Sequence, residues 1–261
     1  MQWNPADYAK HSDAQLKWAQ QLRKTLNLRG DEAVLDVGCG DGKITADFAK
    51  TLPQGRVVGI DSSPEMIAYA ARTYPAERYG NLTFVCGDAR SLNCDREFDL
   101  CFSNAVLHWV DDRLAFFQGA SRALRSGGRL AISCGGQGNA AEILQVFAAL
   151  IVEEPWSQYF STFANPYFFD GIEDCEQWLR ATGFQVERLA LVPKDMTHAG
   201  RAGLAAWIRT TWMPFISRVP APQQSQFIED FLDRYLALRP VDAEGLTHVG
   251  MVRLEVDALR Q

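Results

Sequence analysis

Two carboxylates and a cluster of glycines carry the first chemical signal in this chain. The apolar run Val34-Leu35-Asp36-Val37 opens into Gly38-Cys39-Gly40-Asp41-Gly42; the run Arg56-Val57-Val58-Gly59-Ile60 closes on Asp61, and a third ends in Cys86-Gly87-Asp88-Ala89. Glycines this dense let the backbone take left-handed angles, and a side chain at Gly38 or Gly40 would push away a ligand lying across the turn. A carboxylate about 20 residues beyond such a turn accepts hydrogen bonds from the two hydroxyls of a ribose and repels a 2′-phosphate. A second one, Asp88, facing the same crevice, can accept from an exocyclic adenine amine. Either aspartate alone reads equally well as a helix cap. Their joint placement points to an adenosine-bearing ligand.

These residues need a scaffold that brings the three run ends to one edge. From Ala33 to Cys134 the runs AVLDVG, RVVGID, LTFVCG, FDLCFSN and RLAISC alternate with DGKITADFAKTL, SPEMIAYAARTY and DRLAFFQGASRAL, whose apolar residues recur at helical intervals. That alternation predicts an α/β fold with a mostly parallel sheet and helices on both faces. Pro64 suits a first helical turn capped by Ser62 or Ser63, and Ser126-Gly127-Gly128 reads as the turn into the fifth strand. Beyond GGQGN, AAEILQVFAALIVEE reads as a helix, WSQYFSTFANPYFF as an aromatic loop and CEQWLRATGF as a helix closed by Gly183. FQVERLALV and HVGMVRLEVDAL have the alternation of a sixth and a seventh strand.

The expected organisation is one domain over residues 1–261: an N-terminal helical cover (1–28), a cofactor-binding core (30–135), remaining helices and strand six (136–198), a helical insertion (199–240) and the last strand (245–261). In the insertion Phe227, Phe231 and Tyr235 share one helical face. Such an amphipathic segment reads equally as a lid over the ligand-binding edge and as packing on the core.

Composition narrows the function classes. With 261 residues, 47% hydrophobic content and a formal charge of -6, the chain can bury a core and has no basic balance for phosphate backbones. The N-terminus lacks a basic then apolar leader, and no apolar run approaches about 18 residues, so a cytoplasmic protein with no membrane partner is expected. Six cysteines without a C-x-x-C pair predict neither disulfides nor a metal site. No nucleic acid and no required protein partner are expected.

The glycine spacing separates two adenosine ligands. A dinucleotide fingerprint places its third glycine where this chain has Lys43; here the pattern is G-x-G-x-G, ending at Gly42. VLDVGCGDG, GIDSSPEMI, VCGDA, FDLCFSNAVLHWV and LRSGGRLAIS resemble, in order and spacing, the motifs of class I S-adenosylmethionine-dependent methyltransferases, over about half the chain. The resemblance implies a Rossmann-like seven-stranded sheet whose last strand is antiparallel, with S-adenosyl-L-methionine as cofactor and S-adenosyl-L-homocysteine as product. It implies the turn Gly38, Gly40, Gly42 under the methionine portion, Asp36 orienting that turn or reaching the methionine amine through water, Asp61 on the ribose, and Asp88 with the Ala89 amide on adenine. Ser62 and Met66 would flank the adenosine, and the Asn104 carbonyl would meet the methionine amine.

The acceptor side is read from the end of the fourth strand, Ser103 to Val110. His108 reads either as a general base, its ordinary pKa lying near about 6.5, or as a packed structural histidine. Trp109 can anchor the core or donate its indole N–H to an anionic substrate. WNPADYAKHSDAQLKWAQ, LHWV and the late insertion together resemble the trans-aconitate and juvenile-hormone-acid branch of small-molecule carboxyl methyltransferases. That resemblance implies Gln15 and Trp109 on the acceptor's carboxylate, with Tyr8 and His11 covering the cofactor.

Trp156, Tyr159, Phe163, Tyr167, Phe168, Trp207 and Trp212 read as an apolar acceptor pocket or as core, and Arg201 and Arg209 as partners for an acid or as solvated surface. The expected reaction is in-line O-methylation of a small carboxylic acid; methylation of carbon, nitrogen or a phenol oxygen is the alternative. A nicotinamide dehydrogenase is disfavoured by Lys43, and a non-catalytic cofactor sensor would bind without turnover.

Overall fold

The computed structural model describes residues 13–261, with side chains from Trp18 onward. Tyr8 and His11, and the side chain of Gln15, lie outside the described residues. In chain order the elements are α1 (Asp13–Lys24), β1 (Ala33–Val37), α2 (Lys43–Thr51), β2 (Arg56–Asp61), α3 (Pro64–Thr73), β3 (Leu82–Cys86), β4 (Phe98–Asn104), α4 (Arg113–Ala123), β5 (Leu124–Gly135), α5 (Ala141–Leu150), α6 (Ile172–Ala181), β6 (Phe184–Ala199), α7 (Gly200–Thr211), α8 (Met213–Ile216), α9 (Gln224–Leu238) and β7 (Leu246–Arg260). The chain divides into two compact units. The first comprises residues up to Gln137 with Phe168–Val192 and Arg253–Gln261, the second Gly138–Tyr167 with Pro193–Val252.

The seven strands form one sheet in the order β3-β2-β1-β4-β5-β7-β6. β1 to β5 pair in parallel, with Val34 opposite Val57 on one side and Leu100 on the other. β7 runs antiparallel to β5, Gly135 facing Arg253. Every residue of β1 is buried because helices cover both faces. Successive side chains point to opposite faces, so Val34 joins Phe48, Phe102 and Ala131 in one cluster while Leu35 joins Phe116, Phe117 and Leu130 in the other. Strand order reverses at β1, and the crevice beyond the carboxyl ends of β1 and β4 follows from that reversal.

Local signals set the helix starts. Pro64 occupies the first turn of α3 and Ser63, rather than Ser62, caps it, its Oγ accepting from the Met66 N–H at 3.2 Å. Asp112 caps α4 by accepting from the Ala115 N–H at 3.0 Å. Two boundaries differ from expectation. Ser126-Gly127-Gly128 lies inside β5, in a register irregularity between the pairs Phe98/Leu124 and Leu100/Arg129, with Gly127 at φ 75°. β6 extends past Val192 to Ala199, so α7 begins where the insertion was expected to start.

In the second unit Phe227, Phe231 and Tyr235 are fully buried. Phe147 of α5 stacks on Phe215 at 4.3 Å and tilts against Phe231 at 4.3 Å. The apolar face of α9 is thus covered within its own unit. No described helix is long and apolar enough to cross a membrane.

One buried bond joins β1 to α2. The Thr45 hydroxyl donates to the Asp36 carboxylate at 2.7 Å, and Asp36 is 2% exposed. Burial pushes the Asp36 pKa up to about 7, with the Thr45 bond pulling it down and the Asp61 charge pushing it further up. A carboxyl whose folded pKa exceeds its unfolded one keeps its proton longer in the folded state, so its contribution falls as pH rises from about 4 to about 7. Asp36→Asn removes that loss. Urea unfolding should show the variant gaining on wild type between about pH 4 and about pH 7, by roughly 1.4 kcal/mol per pKa unit spanned; a difference independent of pH would contradict it.

Candidate active site

The turn after β1 is fastened at its start to the end of β2 by backbone bonds. Gly38 N–H and Cys39 N–H both donate to the Ile60 carbonyl, at 2.7 and 2.9 Å. Gly38, Gly40 and Gly42 all have positive φ (78°, 53° and 80°), which a side chain would strain. The three glycines serve different needs. A Cβ at Gly38 would fall 2.0 Å from Val106 Cγ2, and one at Gly42 would fall 2.7 Å from the Phe84 ring. At Gly38 a side chain would meet Val106 of the protein itself, a constraint beside the ligand contact expected from sequence. Gly40 alone of the three would meet nothing within 4 Å, leaving open space above the turn.

Asp61, at the end of β2, takes one backbone donor on each oxygen: Gly40 N–H on Oδ2 and Ser63 N–H on Oδ1, both at 2.9 Å. Burial pushes its pKa up, and the two N–H bonds work against that shift. Each carboxylate oxygen retains acceptor capacity, so ribose hydroxyls can be taken in addition. Met66 is 4% exposed, in the first turn of α3, and Ser62 lies in the loop between Asp61 and its cap. Asp88 caps the short turn Ala89–Ser91, accepting from the Arg90 N–H at 2.9 Å, and holds the Arg90 guanidinium through both oxygens. Arg90 also donates to Asp111 at 2.9 Å, and its bonds hold the Asp88 carboxyl below the usual range. The capping reading of Asp88 is realised, with a cation added that its sequence position did not announce.

On the other side of the crevice, the Ser103 hydroxyl donates to the Val37 carbonyl at 2.9 Å, tying β4 to β1. Asn104 is buried and Ala105 follows at φ 62°, its N–H on the Ser133 carbonyl at 2.8 Å. A non-glycine residue in the left-handed region costs energy and is kept where its surroundings fix it. Arg253, 3% exposed in β7, donates to the Ser133 hydroxyl at 3.1 Å, to the Ser133 carbonyl, and to the Asn104 side-chain oxygen at 3.2 Å. Its guanidinium lies 5.3 Å from the centre of the Trp18 ring. Arg253 escaped sequence reading, although Thr247, Val249 and Met251 alternate inward toward it along β7.

His108 sits in the short turn Leu107–Trp109. Gly135 N–H donates to its Nδ1 at 3.2 Å, so a neutral ring carries its proton on Nε2. Burial, and next the Arg253 charge, push its pKa down to about 3. Trp109 is half-buried, its ring centre 5.7 Å from that of His108. Phe168 lies against the Arg113 guanidinium at 4.5 Å. Of the arginines read as partners for an acid, Arg201 pairs with Glu229 at 2.5 Å and Asp233 at 2.7 Å instead.

The edge thus offers an open cradle at Gly40, a carboxylate anchored beside it and buried apolar surface at Met66. These features fit the adenosine and methionine portions of the cofactor inferred from sequence.

Comparison with known proteins agrees. The family profile described as a methyltransferase domain matches residues 34–128. An uncharacterized methyltransferase of Schizosaccharomyces pombe is 34% identical over 204 residues, covering 74% of this chain and 77% of that protein. A trans-aconitate 2-methyltransferase of Methylobacterium nodulans is 28% identical over 263 residues, covering 99% and 98%. The solved structure of the YcgJ protein from Bacillus subtilis shares the fold, with a TM-score of 0.63 at 18% identity over 93% of this chain and 97% of that one. Matched in sequence over three quarters of its length, and in fold over nearly all of it, the chain belongs to the S-adenosylmethionine-dependent methyltransferases.

Proposed function

We propose that this methyltransferase forms a methyl ester on the carboxylate of a small organic acid. The observation that carries the reading is the state of His108: its Nδ1 is occupied by the Gly135 N–H and its protonation is suppressed by burial and by Arg253. An amine or phenol acceptor must lose a proton for transfer, and a base poised near working pH serves that need. A carboxylic acid with a pKa of about 4.3 is already ionised at neutral pH. The name of the Methylobacterium relative, a trans-aconitate 2-methyltransferase, supports the same acceptor class.

Charge at the edge supports it too. Asp61 places a carboxylate at the end of β2 and Asp36, half protonated near pH 7, adds partial negative charge at the end of β1, suited to a cofactor with a sulfonium and an ammonium. The buried Arg253 puts positive charge behind β4 and β5, where an anionic acceptor would be favoured. Asp61 would accept from the ribose hydroxyls, Asn104 would offer its carbonyl to the ammonium, Met66 would pack on adenine, and Asp88 with Ala89 would meet its edge. Bound there, S-adenosylmethionine supplies an electrophilic methyl carbon. The chain contributes placement: Trp109 and Gln15 hold the acceptor carboxylate in line, and exclusion of water from an aligned pair lowers the barrier.

Three outcomes test the reading. Mass spectrometry of reactions with a panel of acids, phenols and amines should find methyl esters cleaved by mild alkali, trans-aconitate being the first acid to try; turnover confined to phenols or amines would overturn it. For ester formation any dependence of kcat/KM on pH between about pH 6 and about pH 8 should follow Asp36, whose pKa is pushed up to about 7, and persist in His108→Gln, because neither acceptor nor His108 titrates there. A limb near about pH 6.5 that His108→Gln abolishes would contradict it. Calorimetric titration with S-adenosylhomocysteine should lose roughly 100-fold in affinity on Asp61→Ala, with NAD failing to compete, from the loss of two bonds to a charged acceptor; retained affinity would remove Asp61 from the site.

A further inference from the structure

Buried donors in the second unit mostly find partners. The Trp156 indole N–H donates to Asp230 at 2.9 Å, the Tyr167 hydroxyl to the Thr211 carbonyl at 3.2 Å, and the Tyr235 hydroxyl to the His248 carbonyl at 2.8 Å. Three nitrogens break that pattern. Trp207 in α7 and Trp212 just beyond it are 4% and 2% exposed, and the Nε1 of each is buried without a hydrogen-bond partner. So is Nε2 of His198, near the end of β6.

The three rings form one run of contacts. His198 lies over Trp207 with centres 5.0 Å apart, and Trp207 meets Trp212 edge to face at 5.9 Å. Phe147 and Tyr167 flank Trp212 at 5.6 and 5.0 Å. An edge-to-face pair can turn one indole N–H toward the other ring, a weak contact, and cannot serve both. A donor buried without an acceptor costs more than a made bond returns, so native proteins rarely keep such a group without a use.

The chemistry of the set selects its ligand. An indole N–H donates and cannot accept. Burial pushes the His198 pKa down to about 4 against the pull of Asp195, so the imidazole is neutral near pH 7. Two or three donors within aromatic walls complement an oxygen acceptor on a molecule with apolar surface, and offer nothing to an ammonium.

We propose that Trp207, Trp212 and His198 bind a non-reacting carboxylate of a small polycarboxylic acid within the second unit. The assignment rests on the proposed acid acceptor. It extends that reading by naming residues that no motif marks.

The test uses the full chain labelled with nitrogen-15, saturated with S-adenosylhomocysteine and titrated separately with two tricarboxylates, trans-aconitate and its saturated analogue tricarballylate. Among the seven tryptophan indole N–H signals, those of Trp207 and Trp212 are assigned from Trp207→Phe and Trp212→Phe, which keep an aromatic ring. Both signals should move downfield and saturate with at least one acid. Each variant should weaken that acid about tenfold while S-adenosylhomocysteine affinity stays unchanged, reporting an intact fold. Signals that stay put with both acids in the unsubstituted protein overturn the site. If ester still forms, the acid reading survives without it. Signals that move while no ester forms keep the site and discard carboxyl methylation.

Discussion

The Asp61 carboxylate holds the cofactor edge together. One oxygen takes the Gly40 N–H from the turn after β1 and the other takes the Ser63 N–H at the start of α3. The side chain that the sequence marks for a ribose is therefore also the clamp between two loops. The second fastening is the pair of bonds from Gly38 and Cys39 to the Ile60 carbonyl, one residue earlier on the same strand. Loop geometry and the proposed ribose recognition share one short stretch at the end of β2, which would keep the recognising group on a rigid strand end.

Charge is divided across the crevice. On the β1–β2 side Asp36 and Asp61 lie close enough for the charge of one to raise the pKa of the other. On the β4–β5 side Arg253 is buried behind Asn104 and Ser133 and depresses protonation of His108. A cationic donor and the proposed anionic acceptor would each meet the opposite sign. Preorganised charges and dipoles in a site shielded from water contribute to a displacement without moving during it.

Much of this was legible in the sequence. The short apolar runs, Asp61 at a strand end and the G-x-G-x-G spacing carry local signals strong enough to fix fold and cofactor. The reasons behind individual residues were less legible. Gly38 looks like a ligand-facing glycine, and Val106, 68 positions later, adds a packing reason against a side chain there. Asp88 acquires Arg90 and Asp111 as neighbours only when the turn Ala89–Ser91 forms. Arg253 falls on the inward face of β7 by the alternation of Thr247, Val249 and Met251, but its partners Ser133 and Asn104 come from distant strands that no local pattern announces. Trp156 and Trp212 look alike as sequence; Asp230 distinguishes them, and it comes from a different helix. Contacts between distant segments have no local periodicity to announce them.

The central claim is that the acceptor needs no base and that His108 supplies none. Its most direct test is the nitrogen-15 signature of the ring, read among the four histidines of the chain. The account predicts a neutral ring, protonated on Nε2 with Nδ1 bare, unchanged from about pH 5 to about pH 8. A titration with its midpoint between about pH 6 and about pH 7 would contradict it and return His108 to the role of base.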